Sequence, residues 1–301
     1  MSDVQAMAPM SESRVKAVIQ DYVALTKPGI LTLLLVTTLG AMLIAQRGVP
    51  SLDLVVFTML GGLLSASGAN VINCYIDRDI DALMARTRKR ATASGRMQAN
   101  TALIYGLTLT VAGVLLLGFA VNWLAALLSL AGNLYYVFVY TLWLKRSTPH
   151  NIVIGGAAGA VPPLVGWAAV TGSLSAPAWI LFAIIFYWTP PHFWSLALLK
   201  AGEYGRVQVP MLPNVSGEAE TRKQIFLYTI LLTAVALLLV PFGMSWLYLA
   251  GAVVLNGYFL FLVWKLLKDP SKARARTSFF YSIWYLAGMF AVMVADRLVL
   301  A

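Results

Sequence analysis

Four polar side chains close one apolar stretch: Asn70, Asn73, Asp77 and Asp81, in Asn70-Val-Ile-Asn73-Cys-Tyr-Ile-Asp77-Arg-Asp-Ile-Asp81. On a continuous helix the spacing i, i+3, i+7, i+11 puts all four on one face and turns Asp79 away. Two amides and two carboxylates form an oxygen-only row. That donor set suits Mg²⁺, which takes one or two carboxylates and completes its shell with phosphate oxygens and water. Asn73, Asp77 and Asp81 are the expected metal ligands, with Asn70 beside them as a substrate contact. The plainer reading is a solvated helix end neutralised by Arg78 and Arg86. Against it, carboxylates four residues apart on a helix repel, and inward amides need partners, so the row calls for a bound cation.

Bases follow the acids directly, in Arg86-Thr-Arg88-Lys89-Arg90 and then Arg96. A polybasic loop beside a membrane marks orientation or contact with anionic lipid. Placed after metal-binding acids it also suits a diphosphate, for which arginine supplies a bidentate fork. Four spans later a second polar loop follows Pro190-Pro191-His192-Phe193-Trp194, with Lys200-Ala-Gly-Glu203-Tyr204-Gly-Arg206. The prolines and aromatics around His192 suggest a helix break at which backbone lines a cavity. There a neutral imidazole could ligate iron or a protonated one could hold a carboxylate; the alternative is a hydrogen-bonded structural histidine. Tyr140, Trp167, Tyr187 and Trp188 are candidates for shielding an allylic cation. The single Cys74 excludes an internal disulfide and reads as a small packing residue.

These residues must be positioned by membrane helices. The chain has 301 residues, 60% hydrophobic and 11% charged, with a mean hydropathy of +0.78. A soluble domain carries roughly 25% charged residues, so an ordinary soluble globule is excluded. Nor does the net charge of +10 point to nucleic acid in a chain this apolar. Residues 28–46, 54–76 and 277–295 are uncharged and long enough for one span each. Stretches 97–144, 147–199 and 224–264 hold 48, 53 and 41 uncharged residues, about two spans each. Their expected breaks are Asn122-Trp123, Thr171-Gly172-Ser173 before Pro177, and Pro241-Phe242-Gly243. The reading is an all-α, polytopic bundle of nine transmembrane helices, with two related four-helix halves plus a ninth helix. β-Barrel strands would alternate over about ten residues, and these runs do not.

With nine crossings, 20 of the 22 Lys and Arg residues fall on one side, and Arg47 and Arg297 alone on the other. By the positive-inside rule the N-terminus and the long loops are cytoplasmic and the C-terminus periplasmic, in a bacterial inner membrane. Residues 1–27 read as a cytoplasmic tail and 28–299 as one transmembrane domain. The tail contains Asp3, Glu12 and Asp21 and no apolar core with a cleavage site, so neither a signal peptide nor a transit peptide is expected.

Taken together, the acid row and the bases behind it resemble the first aspartate-rich motif of the UbiA-type intramembrane prenyltransferases, in the form typical of the heme O synthase (protoheme IX farnesyltransferase) family. The likeness runs on through Leu25-Thr26-Lys27-Pro28, Lys145-Arg146-Ser147-Thr148-Pro149 and Asn151-Ile-Val-Ile-Gly155-Gly156. Further along it includes Pro162-Pro163-Leu-Val-Gly166-Trp167, Pro191-His192-Phe193-Trp194 and Pro210-Met211-Leu212-Pro213. It covers nearly the whole chain from about residue 20. One departure stands out: that family usually has adjacent acids before the tyrosine of its second motif, whereas here Gly202 precedes Glu203-Tyr204.

The resemblance implies a Mg²⁺-dependent enzyme that takes farnesyl diphosphate and heme b from the membrane and leaves a hydroxyethylfarnesyl group on one heme vinyl. It implies Asn73, Asp77, Asp81 and Glu203 as catalytic residues. Substrate contacts would be Lys27, Asn70, Arg86, Arg90, Lys145, Arg146, His192 and Tyr204. A downstream heme-modifying enzyme or an oxidase assembly factor is the implied partner. Competing readings are a prenyltransferase for a quinone precursor or chlorophyllide, a heme-binding chaperone without chemistry, and a transporter. The last is disfavoured because no Asp, Glu, Lys or Arg lies inside the proposed spans.

Overall fold

The computed structural model describes residues 12–206 and 208–300, apart from the side chain of Tyr204. Among the described residues nine helices are long and apolar enough to cross a membrane. A helix α1 (Glu12–Leu25) precedes them. The first three spans are α2 (Pro28–Gln46), α3 (Leu52–Ile76) and α5 (Ala99–Ala120), and the short α4 (Arg78–Leu83) follows α3. The fourth is compound: α6 (Trp123–Leu134), a π-helix (Tyr135–Leu144) and α7 (Lys145–Ser147). Then come α8 (Asn151–Thr171) and α9 (Ala176–Arg206), the short α10 (Leu212–Val215), α11 (Gly217–Leu237), α12 (Trp246–Lys268) and α13 (Lys272–Val299). A short helix thus follows the second and the sixth span alike.

All three expected mid-stretch breaks occur, each with a physical cause. Asn122 caps α6 by accepting from the Ala125 N–H at 2.9 Å, and its amide donates to Ala168 O at 2.8 Å, pinning the turn to α8. Gly172 and Gly243 take φ of 65° and 89°, left-handed turns that end α8 and the Pro241 corner. On the same face Asp296 is buried and accepts from Ser245 N and Tyr248 N, satisfying the first N–H groups of α12.

Charge located the spans but not the helix ends. Stretches expected from residues 224 and 277 begin as helix at Gly217 and Lys272, because charged side chains leave the lipid without leaving the helix. The break expected around His192 is absent: α9 runs unbroken through Pro190-Pro191. Hydroxyls flank the proline pair, with Thr189 Oγ1 donating to Ile185 O and Ser195 Oγ to Pro191 O, at 2.8 and 2.7 Å. Neighbouring helices and such side chains let a membrane helix tolerate proline.

Packing fixes the height of α3. Its small residues Gly61, Ser65 and Gly68 meet Gly106, Thr110 and Gly113 of α5 so closely that a Cβ on any of the four glycines would clash. A Cβ on Gly68 would lie 2.5 Å from Gly106 O, and one on Gly113 2.4 Å from Ser65 N. In lipid, helix association rests on such backbone approach. Elsewhere α2 lies against α8, α3 and α13, α8 against α6 and α9, and α9 against α11 and α13, with α12 closing the ring between α11 and α13. At the basic face α1 is tied down by Asp21, which takes two hydrogen bonds from Arg96 at 2.9 and 2.6 Å, and by Tyr22 edge-on to Tyr105 of α5.

Gly113→Val should therefore force α3 and α5 apart, costing about 1–3 kcal/mol. Thermal unfolding in detergent should show a lowered Tm; an unchanged Tm would mean that the close approach contributes nothing to stability.

Candidate functional site

The acid row is built where α3 meets α4. The structure breaks the expected continuous helix at Asp77 (φ −84°, ψ 5°), yet Asp77 N still donates to Asn73 O at 2.9 Å and Asp81 N to Asp77 O at 2.8 Å. Asn73, Asp77 and Asp81 therefore remain one turn apart. Asn70, Asn73, Asp77 and Asp81 are buried, whereas Asp79 is exposed, as the spacing requires.

Buried carboxylates need cations. Lys145 Nζ, from α7, donates to Asp77 Oδ2 in a short contact. Asn73 Nδ2 donates to the same oxygen at 2.8 Å, and Lys27 Nζ donates to Asn73 Oδ1 at 2.6 Å. Arg90 Nη1 lies 2.7 Å from Asp81 Oδ2. Arg146 forks onto both oxygens of Asp79 at 2.7 and 2.8 Å, and this hydrogen bonding holds the Asp79 carboxyl down to about 2. Burial lowers the pKa of the Lys27 ammonium below the usual lysine value. Asn70 donates to Thr26 O at 2.9 Å and so braces the turn that carries Lys27 in a left-handed conformation, φ 58°. The counter-ions are thus Arg90, Lys145 and Arg146. Arg78 instead bonds Tyr75 O and lies over the Tyr75 ring, and Arg86 is exposed, with no ion pair among the described residues.

Two contributors carry no signal in the sequence, Thr141 and the π-helical register of the fourth span. Thr141 Oγ1 accepts from Asn73 Nδ2 at 3.1 Å and donates to Tyr136 O, five residues back. The Lys145 N–H likewise bonds Tyr140 O, five back. This wider turn, a form that recurs at functional sites, brings Thr141 and Lys145 together on the acid row. It also drives Tyr140 onto α8, where a Cβ on Gly155 would lie 2.2 Å from the Tyr140 ring. A periodicity reading of an uncharged apolar span cannot show a change of helical register.

Other expected residues lie apart. Glu203 pairs with Lys200 on its own helix at 2.8 Å, and no hydrogen bond or ion pair joins it to the acid row. The side chain of Tyr204 lies outside the described residues. His192 faces α13, where it bonds Ser282. Trp167 and Trp188 are buried, and Trp188 stacks on His192. Cys74 is buried, as a packing residue should be.

Among the described residues no group of three or more His, Cys, Asp or Glu side chains gathers, so a metal here would be shared with a ligand. The row fits one. Asp77 Oδ1 is buried without a hydrogen-bond partner, with Arg146 Nη2 3.6 Å away. An unsatisfied carboxylate oxygen amid an amide and a second carboxylate is a place for a hard divalent ion. A cavity of about 400 Å³, lined by Ile76, Arg78, Asp79, Leu142 and Arg146, opens beside it on the basic face.

The fold and site together define a helical membrane bundle with buried acids at one mouth, each held by a lysine or arginine. Residues 34–286 match the UbiA prenyltransferase family. Curated relatives called protoheme IX farnesyltransferase include one from Gloeobacter violaceus, 50% identical over 295 residues, covering 97% of each chain. Two more, from Roseiflexus sp. and Chloroflexus aurantiacus, are 52% and 54% identical over 95% of this chain, which spans 54% and 49% of their own lengths. The chain spans about half the length of these two. Among solved structures, a digeranylgeranylglyceryl phosphate synthase superposes with a TM-score of 0.79 at 19% identity, covering 94% of this chain and 99% of that one. A UbiA homolog from Archaeoglobus fulgidus bound to DMAPP and Mg²⁺ gives 0.69 at 16%, covering 91% and 99%. At such identities the likeness is one of fold. The chain belongs to the UbiA prenyltransferase family and is a multi-pass membrane protein.

Lys145→Met removes the ammonium from a buried carboxylate and should destabilise the protein by about 3 kcal/mol. Adding Asp77→Asn should restore much of that loss in a double-mutant cycle read by thermal unfolding. Strictly additive losses would show that the two side chains are not coupled.

Proposed function

We propose that this protein transfers the farnesyl group of farnesyl diphosphate to a vinyl group of heme b, with addition of water, giving heme O and diphosphate. The observation that carries the reading is the buried row Asn73, Asp77 and Asp81 ringed by Lys27, Arg90, Lys145 and Arg146. The heme acceptor is supported by the Gloeobacter violaceus relative, which matches end to end. Mg²⁺ is the proposed cofactor, supported by the unsatisfied Asp77 Oδ1, and when bound it supplies Lewis-acid stabilisation of diphosphate charge.

The chain's own residues do the rest. Asn73, Asp77 and Asp81 are the proposed metal ligands, and Lys27, Arg90, Lys145 and Arg146 the contacts for the phosphate oxygens. As the allylic carbon–oxygen bond lengthens, negative charge grows on the leaving group. Fixed cations stabilise it more in the transition state than in the ground state. The reaction as proposed needs no side-chain nucleophile: the vinyl π electrons take the farnesyl cation, and water quenches the positive charge left beside the porphyrin. An apolar surround keeps other water from the farnesyl cation. Glu203, paired with Lys200, would act at the rim. The product would pass to a heme-modifying enzyme or an oxidase assembly factor.

Incubation of purified protein with heme b, farnesyl diphosphate and Mg²⁺, followed by mass spectrometry of the extracted pigment, tests this. The wild type should form heme O, while Asp77→Asn and Asp81→Asn should each lose most turnover although still inserted. Full product from both variants would overturn the metal assignment; a wild type active only on another acceptor would overturn the heme reading. The charge split further supports a cytoplasmic N-terminus and site in a bacterial inner membrane. Alkaline phosphatase joined after Leu298 should then be active and after Lys89 inactive, with the reverse pattern inverting the topology.

A further inference from the structure

We infer that Ser282 locks His192 in the Nδ1–H tautomer, so that His192 presents a bare Nε2 lone pair, edge-on, as an axial ligand for the iron of the tetrapyrrole acceptor. The inference rests on the heme reading above. Its geometric basis does not.

Three distances set the proton inventory. Ser282 Oγ lies 2.6 Å from Phe279 O and 2.7 Å from His192 Nδ1, and the Trp188 Nε1–H donates to Ser282 O at 2.7 Å. A hydroxyl has one proton to give, and a backbone carbonyl can only accept. Ser282 therefore donates to Phe279 O, and the short contact with His192 is bonded only if Nδ1 carries the proton. In the neutral ring Nε2 is then the acceptor. This nitrogen has no hydrogen-bond partner among the described residues.

Its surroundings are aromatic. One face of the imidazole is stacked on Trp188, ring centroids 4.4 Å apart at 18°, and Phe279 lies in parallel contact at 4.8 Å and 29°. Phe193 stands edge-on at 5.1 Å. Ser282 is fully buried and Trp188 nearly so, which makes the clamp rigid, whereas His192 is only half-buried. With rings stacked on it and Nδ1 tied, what remains is the in-plane lone pair. Holding a substrate carboxylate would need a proton on this nitrogen as well, and the resulting imidazolium would carry its charge among the apolar rings that enclose it, which burial opposes. A Lewis acid approached in the ring plane fits, and a metal-bound histidine ordinarily gives its second N–H to such a partner. Ser282 is thus a positioning residue and His192 the ligand.

Ferric heme b added to the purified protein in detergent is the probe, read by its Soret band and by electron paramagnetic resonance. The wild type should show a histidine-ligated spectrum that disappears in His192→Ala and returns on adding imidazole at concentrations too low to change the spectrum of heme b in the same detergent without protein. Ser282→Ala should weaken heme affinity about tenfold or more, the usual effect of losing such a partner. Ser282→Thr, which keeps the hydroxyl, should not. A wild-type spectrum in His192→Ala overturns the ligand role, and unchanged affinity and spectrum in Ser282→Ala overturn the lock. Either result beside normal heme O formation by the wild type leaves the proposed reaction standing. Failure of the wild type to bind heme b overturns both.

Discussion

Asp77 retains 1% of its surface exposure at the end of a membrane helix, and the ammonium of Lys145 is its direct partner. Removing either leaves an uncompensated charge in a poorly solvated place, so every element that brings these two groups together is constrained. The glycine contact of α3 with α5 sets the height of Asp77, and the π-helix aims Lys145. The left-handed turn at Lys27 carries a second ammonium to Asn73, which holds the same Asp77 oxygen. Fold and site are coupled here through electrostatics more than through burial of apolar area, which in lipid gives little drive for helix association.

Membrane solvation explains which features the sequence discloses. Uncharged stretches mark spans because lipid penalises Lys, Arg, Asp and Glu, so nine crossings and all three mid-stretch breaks can be read directly. Asn73, Asp77 and Asp81 are legible because helical spacing survives the break at Asp77. Lys27, Lys145 and Arg146, far away in the chain, enter through family resemblance, and only the fold shows Lys145 and Arg146 meeting the acids and Lys27 meeting Asn73. The acids pair with Arg90, Lys145 and Arg146 and not with Arg78 and Arg86, the neighbours named by the plainer reading, since proximity along the chain does not decide which cation faces inward. Helix ends at Gly217 and Lys272 escape notice because charge reports the edge of lipid and not the end of a helix.

Proline shows the same limit from another side. Pro190-Pro191 reads as a break, yet α9 passes through it, and His192 projects from an intact helix onto α13. An intact helix is the better platform: Trp188 and His192, four residues apart, reach the carbonyl and hydroxyl of the same Ser282. A frayed segment could not hold both to one residue.

The π-helix of the fourth span makes the number of residues in that span a structural parameter in its own right. Deleting one residue between Tyr135 and Leu144 would leave composition and hydropathy nearly unchanged, and the segment would still be long enough to cross. It would also let the turns tighten toward α geometry and change the angular phase of whatever follows. Lys145 and Arg146 would then leave Asp77 and Asp79 together. A change in hydrophobic length alone can be absorbed as tilt. Here it would act as a frameshift in space, and chain length along this segment should be held as strictly as the identity of the charged residues it delivers.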